Sequence, residues 1–217
     1  MRIDVWSDIV CPWCYIGKRR FERALAGFEH RDEIDVVHRS FQLDSVSEPG
    51  AVYDHRDRLM FKYGISRSDA DATQIRMERA AAQEGLEFHL AGGVTGNTVD
   101  AHRLLCLALE RGLQQVLLER LYCAHFTERR SVFEPESLAA LAGEVGLDRE
   151  EAASVLAGDA YAETVTADLW EARQCGIGGV PHYLFDQRRT VAGAQASESF
   201  SRALAEAWQA HALSSGT

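Results

Sequence analysis

Apolar and polar positions change their period five times along the chain, and each change marks a change of structure. Near the start, Ile3, Val5 and the stretch from Trp6 to Val10 read as a strand. Tyr15-Ile16-Gly17-Lys18-Arg19-Arg20-Phe21 then opens the three-to-four-residue spacing of an amphipathic helix that should reach about Phe28. After a polar break at His30-Arg31-Asp32, the run from Ile34 to Leu43 returns to partial alternation with β-branched residues, a second strand. Strand, helix, strand in that order predicts a parallel pair joined by a right-handed crossover.

Beyond Asp44 the character shifts. Ser45 to Gly50 is a polar linker containing proline, and nearly everything from Ala51 to about Gln174 carries helical spacing. The expected helices are Asp54 to Tyr63, a segment capped by Ser66 and Asp69 that ends at Gly85, one from Asn97-Thr98 to Gly112, then Gln114 to Phe126, Pro135 to Gly143, Arg149 to Leu156 and Tyr161 to Cys175. Gly92-Gly93-Val94-Thr95-Gly96 interrupts them. It lacks the G-K-[ST] ending of a phosphate-binding loop and reads as a connector. Strand character returns at His182-Tyr183-Leu184-Phe185 and, after a turn at residues 186–189, at Thr190-Val191-Ala192, an antiparallel hairpin. A last amphipathic helix starts at Ser197 and runs through Phe200, Leu204 and Trp208, with Ser214-Ser215-Gly216-Thr217 as a frayed end.

Removing the helical middle leaves β-α-β followed by α-β-β-α, which is the element order of a thioredoxin fold. The expectation is therefore an α/β chain, a thioredoxin fold with an inserted all-helical domain: residues 1–43 as the first half of the core, 44–158 as the insertion and 159–217 as the second half. A length of 217 residues with 46% apolar content suits one domain carrying an insertion. A formal charge of -10 argues against a nucleic-acid partner or an anionic membrane surface. No stretch is long and apolar enough to span a bilayer, and Met1-Arg2-Ile3-Asp4 does not begin a charged leader, so a cytoplasmic protein is expected.

The chemistry concentrates at Cys11-Pro12-Trp13-Cys14, where the first strand hands over to the first helix. Two intervening residues let both sulfurs lie in the first helical turn. There the unpaired N–H groups and the positive end of the helix dipole favour Cys11 as a thiolate, the form that attacks disulfides. Pro12 fits the first helical position, where no hydrogen bond is lost to proline. A zinc site would need a second ligand cluster, and none occurs, so no metal is expected. Cys106 and Cys123 lie in apolar helical runs and read as inert thiols, whereas Cys175 precedes Gly176 at a helix end. Gly178-Gly179-Val180-Pro181 is the second informative stretch: a cis peptide bond in a tight turn is one way to place proline at a strand entrance and an ordinary trans proline ending a loop the other, and the combination with the cysteine motif in this element order favours the cis form.

These pieces carry a resemblance. Asp4-Val5-Trp6-Ser7-Asp8 leading into Cys11-Pro12-Trp13-Cys14-Tyr15-Ile16-Gly17, Asn97-Thr98 with Ala101-His102-Arg103-Leu104, and Gly176 to Pro181 with Gly193-Ala194-Gln195 resemble the DsbA-like thioredoxin superfamily and, within it, the FrnE-like branch. The resemblance implies a thiol-disulfide oxidoreductase in which Cys11 is the nucleophile and Cys14 the resolving thiol. Pro12, Trp13, Val180, Pro181 and His182 would then form the substrate-binding surface. It implies no required cofactor and a thiol or disulfide substrate, protein or small molecule, with a homodimer left open. The alternatives are a glutathione-dependent 2-hydroxychromene-2-carboxylate isomerase or kappa-class glutathione transferase, whose members typically carry serine where Cys11 stands, and a polyketide-biosynthesis accessory protein. Many thioredoxin-like enzymes hold a buried acid six residues before the nucleophile. That position is Val5 here, and the neighbouring Asp4 and Asp8 are expected to be solvated. His182 is expected either beside Cys11 or turned away from it, His102 either in a cleft or in an interhelix bond, and Lys18-Arg19-Arg20 on a solvated helix face.

Overall fold

The computed structural model describes residues 1–48 and 50–215, without the side chains of 214 and 215. Pro49 of the linker and Gly216 and Thr217 of the expected frayed end lie outside the described residues.

The main sheet has the order β2-β1-β5-β6. Strand β1 (Arg2–Ser7) runs parallel to β2 (Asp35–Ser40) and antiparallel to β5 (His182–Phe185), which pairs in turn with β6 (Arg189–Ala192). Alternation along β1 divides its side chains between two layers. Ile3 and Val5 pack with Phe21, Tyr183, Phe185, Phe200 and Leu204 beneath α1 (Pro12–Ala26) and the closing helix (Ser197–Ser215). Trp6 turns the other way, into Ala172, Ile177 and Leu184 beside the helix Ala162–Gln174. The sheet is thus buried on both faces, as a parallel crossover requires.

Between β2 and β5 lie α2 (His55–Tyr63), α3 (Arg67–Gln83), α4 (Val99–Glu110), α5 (Gln114–Phe126), α6 (Pro135–Glu144), α7 (Arg149–Ala157) and α8 (Ala162–Gln174), with α9 (Ser197–Ser215) closing the chain. Asp54 and Ser66 cap α2 and α3 through the N–H groups of Asp57 and Asp69. One apolar cluster runs from Ile9, Cys14, Tyr15 and Ile16 through Leu104, Leu117, Tyr122 and Leu141, so the start of α1 belongs to the same core as the helical insertion.

The insertion is not wholly helical. β3 (Val52–Asp54) and β4 (Val94–Gly96) form an antiparallel ribbon, where a connector was expected at Gly92 to Gly96. Three-residue strands are too short for their periodicity to stand out in sequence. Gly96 is required in the ribbon, because a Cβ there would run into the carbonyl oxygen of Ala51.

Gln114 locks α5 to β2 by accepting from the His38 N–H and donating to its carbonyl, each at 2.9 Å. The His38 imidazole is buried beside Ser7, and burial, reinforced by the charge of Lys18, pushes it down to about 3. An unfolded chain takes up this proton near 6.5, so stability conferred by a neutral His38 is complete above that pH and drains away as pH falls toward about 3. Between pH 7 and 4.5 the loss from this group is on the order of 2–3 kcal/mol. Urea titrations of His38→Gln should show a correspondingly shallower decline; an unchanged pH slope would refute the assignment.

Candidate active site

The turn Asp8-Ile9-Val10 carries the chain from β1 to α1, with the Cys11 N–H donating to the Asp8 carbonyl at 3.1 Å. Cys11 is the N-cap of α1 and Pro12 its first residue, and the first turn holds no acidic side chain. A sulfur there meets free backbone N–H groups and no carboxylate competing for them. Cys11 and Cys14 are both free thiols, 3% and 2% exposed. Burial pushes the Cys14 thiol well up, and its hydrogen bond to Cys11 and that neighbour's charge push the same way. The Val180–Pro181 peptide bond is cis, and the Cys11 thiol lies 3.7 Å from the Val180 carbonyl oxygen, so residues 169 positions apart meet over one sulfur.

Cys11, Pro12, Trp13 and Val180 form one wall of a cleft of about 700 Å³, and α2 supplies Arg58, Phe61, Lys62 and Tyr63 on the other. Although little of Cys11 is exposed, the residue lines this cleft. Trp13 is half-exposed on the rim, where Phe61 and Tyr63 also face outward. Arg58 pairs with the buried Asp44 at 2.5 Å, while the Lys62 ammonium lies 5.7 Å from the Tyr63 ring centroid. Pro181 is buried under Gly17. His182 does not line the cleft. Along β5, Tyr183 faces α1, so alternation turns His182 toward the opposite layer with Leu184. Its imidazole is lowered by burial alone, with neither cysteine contributing.

Two expectations are corrected, and the alternatives left for His102 are decided. Asp4 and Asp8 are not solvated: they are 0% and 1% exposed. Asp4 is held by Arg2, Arg39 and Gln187, each at 2.8 Å. Asp8 accepts from the Leu43 N–H at 2.7 Å and the Thr98 hydroxyl at 2.8 Å, with His102 Nε2 3.4 Å away. His102 is itself buried and 3.0 Å from the Phe41 carbonyl, so it ties the insertion to the core and stays out of the cleft. The basic run is no solvated face either. Lys18 and Arg19 share Glu119 of α5 and Glu22, and Arg20 meets Glu84 at 2.6 Å. Its charge is spent on joining α1 to the insertion, which cancels the positive potential it would lend Cys11.

Two tyrosine hydroxyls flank the dithiol from behind. Tyr122, on α5, is fully buried and donates to the Asp8 carbonyl at 3.5 Å. Tyr183, opposite Val5 in the register of β5 on β1, is 1% exposed and its hydroxyl has no hydrogen-bond partner among the described residues. The phenol reaches α1 because residue 17 is glycine: a Cβ there would stand 2.9 Å from the hydroxyl and 3.0 Å from Pro181 Cγ. Both phenols are raised well above the ordinary range, by burial first and then by the charges of Cys14 and Cys11. Gly17→Val should therefore separate α1 from the proline turn and destabilise the chain by roughly 1–3 kcal/mol of overpacking. Unchanged thermal unfolding of that variant would contradict the close approach.

Of the other thiols, Cys106 is partly buried and pushed up to about 11, Cys123 lies 3.6 Å from Glu128, and Cys175 is exposed at the end of α8. Among the described residues, no group of three or more His, Cys, Asp or Glu side chains is arranged to hold a metal. Among the described residues, no helix is long and apolar enough to cross a membrane.

Comparison with known proteins gives a consistent picture. The family model of the DSBA-like thioredoxin domain matches residues 2–205. The crystal structure of a probable DsbA oxidoreductase from Streptomyces coelicolor superposes with a TM-score of 0.93 at 47% identity, covering 96% of this chain and 90% of that one. An uncharacterized Bacillus subtilis protein, YwbO, is 25% identical over 95% of this chain and 96% of its own length. The cytosolic disulfide reductase DsbM of Pseudomonas aeruginosa, also solved with GSH, shares the fold at a TM-score of 0.68 and 18% identity, covering 96% of this chain and 99% of its own.

Proposed function

The chain belongs to the DsbA-like thioredoxin domain family, and from that membership we propose that it exchanges disulfides through Cys11 and Cys14 by way of a mixed disulfide. In the reducing direction the Cys11 thiolate attacks one sulfur of a substrate disulfide and expels the other as a thiolate. Cys14, once deprotonated, attacks Cys11 Sγ, releasing the second substrate thiolate and leaving an enzyme disulfide. Two electrons pass from the dithiol to the substrate, and oxidation of a substrate dithiol is the same sequence reversed. The observation that carries this reading is Cys11 at the N-terminus of α1, a residue that lines the cleft and whose sulfur lies 3.7 Å from the Val180 carbonyl.

The substrate class we propose is a thiol or disulfide whose body lies along the cleft, with apolar parts on Trp13 and Phe61 and an anionic group toward Lys62, Arg58 being paired with Asp44. Glutathione meets that description, with two carboxylates on a short flexible chain. It would act as substrate, and the two cysteines need no organic cofactor for the exchange itself. The presence of cysteine at position 11 favours disulfide exchange over the isomerase and transferase readings.

The test is trapping. Cys14→Ala, incubated with glutathione disulfide, should accumulate a stoichiometric mixed disulfide on Cys11, seen as a mass increase of one glutathionyl group that dithiothreitol reverses. Wild type should pass through that adduct without accumulating it. Absence of any Cys11 adduct with glutathione disulfide or with a peptide disulfide would overturn the mechanism.

A further inference from the structure

Resting on the exchange mechanism just proposed, we infer that the Tyr183 hydroxyl is the hydrogen-bond donor that stabilises the Cys14 thiolate during resolution of the mixed disulfide. A buried hydroxyl without a partner is unfavourable, and native chains keep few of them. Phenylalanine would supply the ring contacts that Tyr183 makes with Phe21 and Phe200, so packing does not account for the oxygen. Its surroundings do. The oxygen sits where a Gly17 Cβ would be, and Gly17 lies three residues beyond Cys14, on the same face of α1. By alternation β1 sends Ile3, Val5 and the buried Ser7 to this layer, so it offers a hydroxyl but no carboxylate here.

The groups facing Cys14 are Cys11 and Asp8 from its own loop, Tyr122 from α5 and Tyr183 from β5, with Glu22 of α1 adding charge near Tyr183. The Tyr122 hydroxyl is directed to the Asp8 carbonyl, whereas the Tyr183 hydroxyl makes no hydrogen bond to Cys14 in the free dithiol or to any other described residue, which leaves it as the donor available once that sulfur carries charge. When Cys14 loses its proton to attack Cys11 Sγ, or leaves as a thiolate in the reverse direction, the negative charge forms in a buried site. A hydrogen bond from Tyr183 O–H to that sulfur stabilises the thiolate, and the phenol keeps its own proton because burial and the neighbouring sulfur charges oppose its ionisation. Tyr183 takes no part in the first attack.

Stopped-flow reaction with 5,5′-dithiobis(2-nitrobenzoate) separates the two steps, in a background with Cys106, Cys123 and Cys175 changed to alanine. The first thionitrobenzoate release reports attack by Cys11 and the second reports displacement by Cys14. Tyr183→Phe should leave the first phase within about twofold and slow the second about tenfold, moving the acid limb of its pH profile upward by about one unit. Placing 3-fluorotyrosine at 183, a stronger donor of nearly the same shape, should speed the second phase, and it keeps the idea testable if the phenylalanine variant folds poorly. A second phase equal to wild type at every pH, or equal slowing of both phases, would overturn the role of Tyr183. A wild-type chain showing no second release would instead remove the exchange mechanism itself.

Discussion

Cys11→Ser is expected to lower turnover in a disulfide-reduction assay, with insulin or glutathione disulfide as substrate, by at least about a thousandfold, or about 4 kcal/mol of transition-state stabilisation. An alcohol at the N-cap of α1 neither ionises at neutral pH nor forms the mixed disulfide, so every later step loses its starting material. The substitution is nearly isosteric at a site where the thiol's polar contact is the Val180 carbonyl at 3.7 Å, so the fold should persist. Unfolding curves matching wild type would separate lost chemistry from lost structure. Cys14→Ser should behave differently, keeping the first attack while failing to resolve the adduct. A Cys11→Ser protein as active as wild type would leave this chain a thioredoxin-fold protein whose two thiols are incidental.

Asp8→Ala is expected to cost about 3–5 kcal/mol of stability, the range for removing one member of a buried, bonded charged cluster. The Asp8 carboxylate joins three segments: the turn before Cys11, Leu43 at the exit of β2, and Thr98 and His102 at the start of α4. Alanine leaves the Leu43 N–H and the Thr98 hydroxyl without acceptors in a region closed to water, and each unpaired donor is costly. A fall in Tm of roughly 10 °C is the matching calorimetric result for a chain of this size. Asp8→Asn keeps one acceptor oxygen and should lose less. Because the side chain of Asp8 anchors the turn whose backbone carbonyl holds the Cys11 N–H, loosening that turn in the alanine variant should raise the reactivity of both thiols toward a bulky alkylating agent. If Asp8→Ala unfolded at the wild-type temperature, the carboxylate would not be the tie between insertion and core described here.

Legibility followed the range of the interactions involved. The Cys11-x-x-Cys14 pair could be read from sequence because N-caps, first-turn prolines and helix dipoles act within four residues. Pro181 before a strand of alternating residues was readable for the same reason. The outer strands and most helices were likewise recovered within a few residues, since amphipathic spacing is local. The β3–β4 ribbon escaped because each strand is three residues long and its pairing partner lies some forty residues away. The states of Asp4, Asp8 and Lys18 escaped because a charge is solvated or buried according to what meets it. Arg39 and Gln187 meet Asp4, Thr98 and His102 meet Asp8, and Glu119 meets Lys18.

By itself, then, the order of residues determined the element sequence of the thioredoxin core, the position of the cysteine pair at a helix start and the family to which the chain belongs. Tertiary structure alone decided which polar groups surround those sulfurs: the Val180 carbonyl over Cys11, the cations of α2 across the cleft, and the unpartnered Tyr183 hydroxyl under Gly17. The physical reason is that backbone propensity and amphipathic period act over one or two turns of chain, whereas desolvation and charge act through space between residues that only the completed fold brings together.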